Sequence, residues 1–225
     1  MDCFIPVAKK PTPVCVPMVS PTSLTDTQAR DMKLGVAVID AFWAAVEADA
    51  RFSTAQESPL LRCILAALCV RDILRQIGRP DATIAKFGLL VRRTTGNPIR
   101  ELVIGTPKAP VIPNGWNAHM VARLGDVLLD PSFGQTRRDW NRSPLATACI
   151  ADSSQDHRDA SKRLGYKVQA HYRYTHGLAR YEVAYVKLHR RVDARTRDWR
   201  EAPDANAPRR QPLVTAAVDI LRRSS

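Results

Sequence analysis

The chain has 225 residues, 45% of them hydrophobic and 25% charged, and its 34 Lys and Arg against 22 Asp and Glu leave a formal charge of +12. That length suits one compact domain with an appendage, and the mixture excludes a disordered or fibrous chain. No run of eighteen apolar residues occurs, which excludes a conventional membrane-spanning helix.

Residues 1 to 22 are rich in Pro, Ser, Thr and Val without helical period, and read as an extended N-terminal arm. Asp2, Lys9 and Lys10, with Pro6, Pro11, Pro13 and Pro17, interrupt any apolar run there, so no signal-peptide core is expected. A helix-start signal follows at Thr25 and Asp26. Apolar residues then recur at Met32, Val36, Ile39, Trp43 and Val46, which predicts an amphipathic helix ending near Arg51.

Ser58-Pro59 is a second start signal, a side-chain cap before a ring that fixes the first helical φ. The run Leu60 to Val70 is apolar nearly all round, which predicts a helix buried on all sides. Gly78 and Pro80 supply its stop. Beyond it, Thr83–Arg93, Leu102–Ile104, Gly115–Leu124 and Asp126–Asp130 read as strands, with turns at Gly96-Asn97, Gly105 and Gly125. Residues 140 to 165 show no usable pattern. Tyr166–Tyr174 and Tyr181–His189 read as a second antiparallel pair joined through Gly177. Arg197 to Arg210 has the composition of a linker, and Leu213–Arg222 that of a short amphipathic helix. The expected organisation is an arm over 1–22, a domain over 23–190, and a charged linker with a helix over 191–225. The fold class is α+β, a central buried helix packed on an antiparallel sheet with the helices on one side.

Three segments carry chemistry. They are Arg62-Cys63 in the buried helix, Trp116-Asn117-Ala118-His119 on one strand, and Leu128-Leu129-Asp130-Pro131 at the end of the next. A thiolate attacks a carbonyl carbon, an imidazole takes and returns the proton, and a carboxylate fixes the imidazole tautomer. A hairpin turn centred on Leu124 and Gly125 would flank His119 and Asp130 by equal counts, making them cross-strand neighbours. Cys63, near a helix start, gains from the dipole that favours a thiolate, and the first-turn N–H groups there can receive an oxyanion.

A buried helix carrying Cys, then a His strand, then an Asp-Pro strand end resembles the transglutaminase-like, papain-like superfamily. Ala118-His119-Met120-Val121 followed by Val127-Leu128-Leu129-Asp130-Pro131 is similar to that family's His and Asp motifs. Within it, the likeness is greatest to the bacterial peptidase that matures lasso peptides, where a Cys begins a helix ending in an Arg-containing turn and Gly, as Cys63 through Leu74-Arg75-Gln76-Ile77-Gly78 does here. The resemblance covers residues 55 to 135. It implies a papain-like core and a cysteine peptidase or amidase acting on a peptide or amide substrate without a cofactor. Cys63 would be the nucleophile, His119 the general base and acid, and Asp130 the orienting carboxylate. Gln56 stands where some papain-like enzymes place an oxyanion-hole side chain. Met120 and Val121 stand where relatives more often carry an aromatic residue, and Arg62 where many carry a small one.

Each of these residues also has a plain structural reading. Cys63 lies on the helical stripe Cys63, Ala67, Val70, Leu74 and Ile77, where a cysteine serves as a small hydrophobe. His119 can be a strand histidine bonded to backbone, and Asp130 a turn residue before Pro131. Cys69 points to another helix face. The five cysteines, Cys3, Cys15, Cys63, Cys69 and Cys149, are odd in number and irregular in spacing, so they read as thiols in a cytoplasmic protein. His157, His171, His176 and His189 show no ligand spacing with them, which argues against zinc. The alternative function is an inactive basic binding module. It would use the positive surface to contact nucleic acid or an acidic partner, with Tyr166, Tyr172, Tyr174 and Tyr181 stacking on bases among Lys167, Arg173 and Arg180.

Overall fold

The computed structural model describes residues 15–18, 24–52, 62–110, 112, 115–151, 155–193 and 198–224. It is α+β. Helix α1 spans Asp26–Ala48. Thr25 caps it with a reciprocal capping box, its hydroxyl accepting from the Gln28 N–H while the Gln28 amide oxygen accepts from the Thr25 N–H. Helix α2 spans Cys63–Gln76 and is buried over most of its length. It ends where expected, with Gly78 at φ 92° and the Arg79 N–H returning to the Leu74 carbonyl. The Ser58-Pro59 start and Gln56 lie outside the described residues. Within them, α2 begins at Cys63 behind Arg62, which makes no side-chain cap.

Among the described residues eight strands form one sheet: β1 (Cys15–Met18), β2 (Thr83–Arg93), β3 (Arg100–Ile104), β4 (His119–Leu124), β5 (Val127–Asp130), β6 (Ala146–Ile150), β7 (Val168–His176) and β8 (Ala179–Lys187). Their order is β1-β6-β5-β4-β2-β8-β7, with β3 also paired to β2. All pairings are antiparallel except β1 with β6. Part of the segment read as an arm is therefore a strand. The strand read as Gly115–Leu124 begins only at His119, because the Asn117 side chain bonds its own loop. Its Oδ1 accepts from the Ile112 N–H and its Nδ2 donates to the Ile112 and Gly115 carbonyls, in competition with a ladder.

Strand parity divides the molecule. Residues such as Ala122, Leu124, Val127, Leu129, Ala146 and Ala148 face α1, α2 and helix α5 (Ala207–Ser224). By register Leu90 pairs with Ala184, and that same sheet face carries helix α3 (Gln155–Leu164) through Ala160 and Leu164. These helices thus share one face of the sheet, as the sequence suggested. Phe87, Leu89, Val121, Leu128, Tyr172, Val183 and Tyr185 fill the other face as a second core. The close fit of α1 on β5 depends on Gly35, where a Cβ would stand 2.3 Å from a Leu129 methyl. Helix α4 (Arg190–Asp193) and two 3-10 turns, Trp199–Glu201 and Pro203–Ala205, lead into α5. The described residues of the segment read as a linker thus form short turns, and α5 starts earlier than Leu213.

No helix among the described residues is long and apolar enough to cross a membrane.

Candidate active site

Cys63, His119 and Asp130 come from α2, the first residue of β4 and the last of β5. The hairpin turn is Gly125-Asp126, with Gly125 at φ 55°, and pairs Leu124 with Val127 and Ala122 with Leu129. The expected turn centre is thus corrected by one residue, and Asp130 falls opposite Val121 rather than His119. The two side chains still share a face, on a cross-strand diagonal that an imidazole can span. His119 Nε2–H donates to Asp130 Oδ2 at 2.6 Å. Both side chains are almost wholly buried.

Asp130 is held from three sides. The Tyr185 hydroxyl donates to the same Oδ2 at 2.7 Å, and the Ser132 N–H donates to Oδ1 at 3.1 Å with its hydroxyl at 3.4 Å. The Tyr185 oxygen also lies 3.3 Å from Thr147 Oγ1, to which the Tyr172 hydroxyl donates. A buried carboxylate so supplied with donors remains an effective counter-charge.

Cys63 is within hydrogen-bonding reach of the same ring. Burial on its own lowers the His119 pKa, but the Asp130 charge and hydrogen bond, followed by Cys63, outweigh it and lift the ring to about 10. With Nε2 occupied by Asp130, Nδ1 is the nitrogen left for the thiol. The Gln135 side-chain amide also contacts Nδ1. Cys63 belongs to a core cluster with Ile64, Ala67, Leu68 and Met120, against which Ile84, Trp116, Trp199, Ala202 and Ala205 pack. The indole N–H of Trp116 is buried without a partner among the described residues. Cys69 is on another face of α2, packed among α1 and α5, and burial pushes its thiol well up.

No known protein family, curated protein or solved structure matches the chain.

The site therefore rests on its own geometry. Among the described residues no cluster of three or more His, Cys, Asp or Glu could hold a metal. The tyrosines of the second hairpin do not line a stacking platform with the arginines. Tyr172 and Tyr181 are buried, and Tyr174 stacks on Tyr181 at 4.8 Å, while Arg173 and Arg180 are exposed. Alternation along a strand sends the two residue types to opposite faces.

Sequence reasoning missed Tyr185, Ser132, Gln135 and the wall supplied by Trp199 to Ala205. For Ser132 a signal existed, since Asp-Pro-Ser is a sequence in which the aspartate side chain accepts from a backbone N–H two residues on. Tyr185 looked like any aromatic strand residue.

Proposed function

We propose that the protein is a cysteine-dependent acyl-transfer enzyme, a peptidase or amidase of papain-like or transglutaminase-like type. The observation that carries this reading is the chain of contacts from Cys63 to His119 to Asp130 in one buried place. The proton given up by the thiol rests on His119 Nδ1, as the imidazolium that the Asp130 charge favours, and the sulfur attacks the carbonyl carbon of an amide. The first-turn N–H groups of α2 and its dipole lie beside the nucleophile, where they stabilise a developing oxyanion. The C–N bond breaks, and the leaving amine takes the proton from Nδ1. Water then attacks the thioester, gives a proton to His119 and releases the acid, and the sulfur recovers its proton. Asp130 keeps Nε2 protonated, so that Nδ1 is the nitrogen that exchanges protons.

A thiol-directed acylating probe tests the reading. Cys63→Ala is expected to abolish labelling of the α2 peptide, while Cys69→Ala leaves it intact. Equal labelling of that peptide in both variants would remove the enzyme reading.

A further inference from the structure

On the reading that Cys63 and His119 act together, Gln135 touches the ring and yet has no part in that reading. It sits in the 3-10 turn Phe133–Thr136, just after Asp130, and its amide touches the ring nitrogen that the thiol must use. Asp130 already fills Nε2 at 2.6 Å. Nδ1 offers one in-plane direction, so two partners cannot both be well aligned there. We infer that Gln135 is a positioning residue that caps His119 Nδ1 in competition with Cys63, so that the resting site holds its base masked until the amide swings away.

An amide suits this task in either protonation state. Its NH2 donates to the lone pair of a neutral ring, and turned over by 180° its carbonyl accepts from the imidazolium N–H. A carboxylate could do only the second, and an apolar side chain neither. The backbone around it is well anchored. The Gln135 N–H donates to the Ser132 carbonyl at 3.0 Å and the Gly134 N–H to the Leu145 carbonyl at 2.7 Å. Side-chain rotation can therefore uncover Nδ1 without moving the turn. Gln135 itself is partly exposed, so an entering substrate amide can draw it off by offering replacement hydrogen bonds.

The test needs no knowledge of the substrate. Carbamidomethylation of Cys63 by iodoacetamide is followed from pH 5 to 9 by mass spectrometry of its peptide, in wild type, Gln135→Met, Gln135→Glu and His119→Ala. Losing a competitor worth about 1 kcal/mol corresponds to roughly fivefold, so Gln135→Met should alkylate about fivefold faster at neutral pH. Gln135→Glu places a second carboxylate on the ring and adds negative charge beside the sulfur. It should react more slowly than wild type, with its profile displaced to higher pH. A Gln135→Met profile that superimposes on wild type, or that is slower, overturns the inference. So does a change confined to thermal stability. Gln135→Leu is the second variant should Met disturb the turn. The outcomes separate this inference from the one beneath it: if His119→Ala leaves the Cys63 profile unchanged, the catalytic pair itself fails, whatever Gln135 does.

Discussion

Asp130→Asn is the sharpest probe of the buried pair. The substitution keeps the volume and removes the charge that holds His119 protonated. Lifting the ring from 6.5 to about 10 corresponds to about 5 kcal/mol at about 1.4 kcal/mol per pH unit. At pH 7, three units below 10, about 4 kcal/mol of it is present. That is the scale on which breaking a buried ion pair is known to destabilise proteins, and it is an upper figure because the ring can shed its proton instead. The sign follows from a raised folded-state pKa. The stability is fully present below about pH 6.5 and is lost as pH rises through about 10. Urea unfolding of wild type and variant at pH 6, 8 and 10 should therefore show a gap of about 4 kcal/mol that narrows steadily with pH. A gap that is constant across that range, or one that widens, would refute the view that His119 is a charged partner of Asp130.

Three further outcomes are expected. Glu182 on β8 accepts from His171 Nε2 at 2.9 Å and is paired with Arg163 of α3, while Asp156 of α3 meets His171 Nδ1 at 2.9 Å. The His171 bond, ahead of Arg163, lowers Glu182 to about 2 against its own burial. Allowing for screening at the half-exposed Arg163, Glu182→Gln should cost about 2 kcal/mol at neutral pH. Because this pKa is depressed, the difference should be complete above about pH 4.5 and vanish as pH falls toward 2, as read by chemical denaturation. Arg210 of α5 is buried and donates to Asp72 of α2 at 2.9 and 3.1 Å and to the Ala205 carbonyl. Arg210→Met should cost about 2 kcal/mol by removing charge-assisted hydrogen bonds from Asp72, which keeps its Arg71 partner, as read by urea unfolding. Gly35→Ala should lower the melting temperature by several degrees, roughly 2–4 °C for each kcal/mol in a chain of this size, because its Cβ meets Leu129; an unchanged melting point would mean that α1 can shift freely on β5.

The legible parts of the fold were those in which one residue set dominated. Helix α1 announced itself through Thr25 and a clean apolar stripe, and strand β2 through its continuous apolar centre, Phe87 to Val91. The unread stretch 140–165 hides β6 and α3 for opposite reasons. Strand β6 is Ala-Thr-Ala-Cys-Ile, whose small side chains give no large alternation, although four of its five residues are buried. Helix α3 is almost wholly polar, with Ala160 and Leu164 facing the sheet and the rest of its grip supplied by Asp156, His157 and Arg163 on β7 and β8. Polar docking leaves no apolar period to find. The start of α5 was obscured by Pro208 and Pro212. Pro208 lies in the first turn, where its missing N–H costs little, and Pro212 lies only four residues further in. In the site, the order Cys63, His119, Asp130 was readable because adjacent strands bring nearby segments together. Tyr185 and Trp199 were not, since each is carried there by the closing of the sheet or by the chain's return over α2.

That return has a consequence for anyone who shortens the protein. Cys63, His119 and Asp130 are all encoded by residue 130, so a piece ending with the sheet would look sufficient on paper. Yet Trp199, Ala202 and Ala205 pack against the core cluster that contains Cys63, and Asp204 with Arg62 and Arg210 with Asp72 fasten that stretch to α2. A trimmed piece would keep all three side chains while opening that flank of α2 to water.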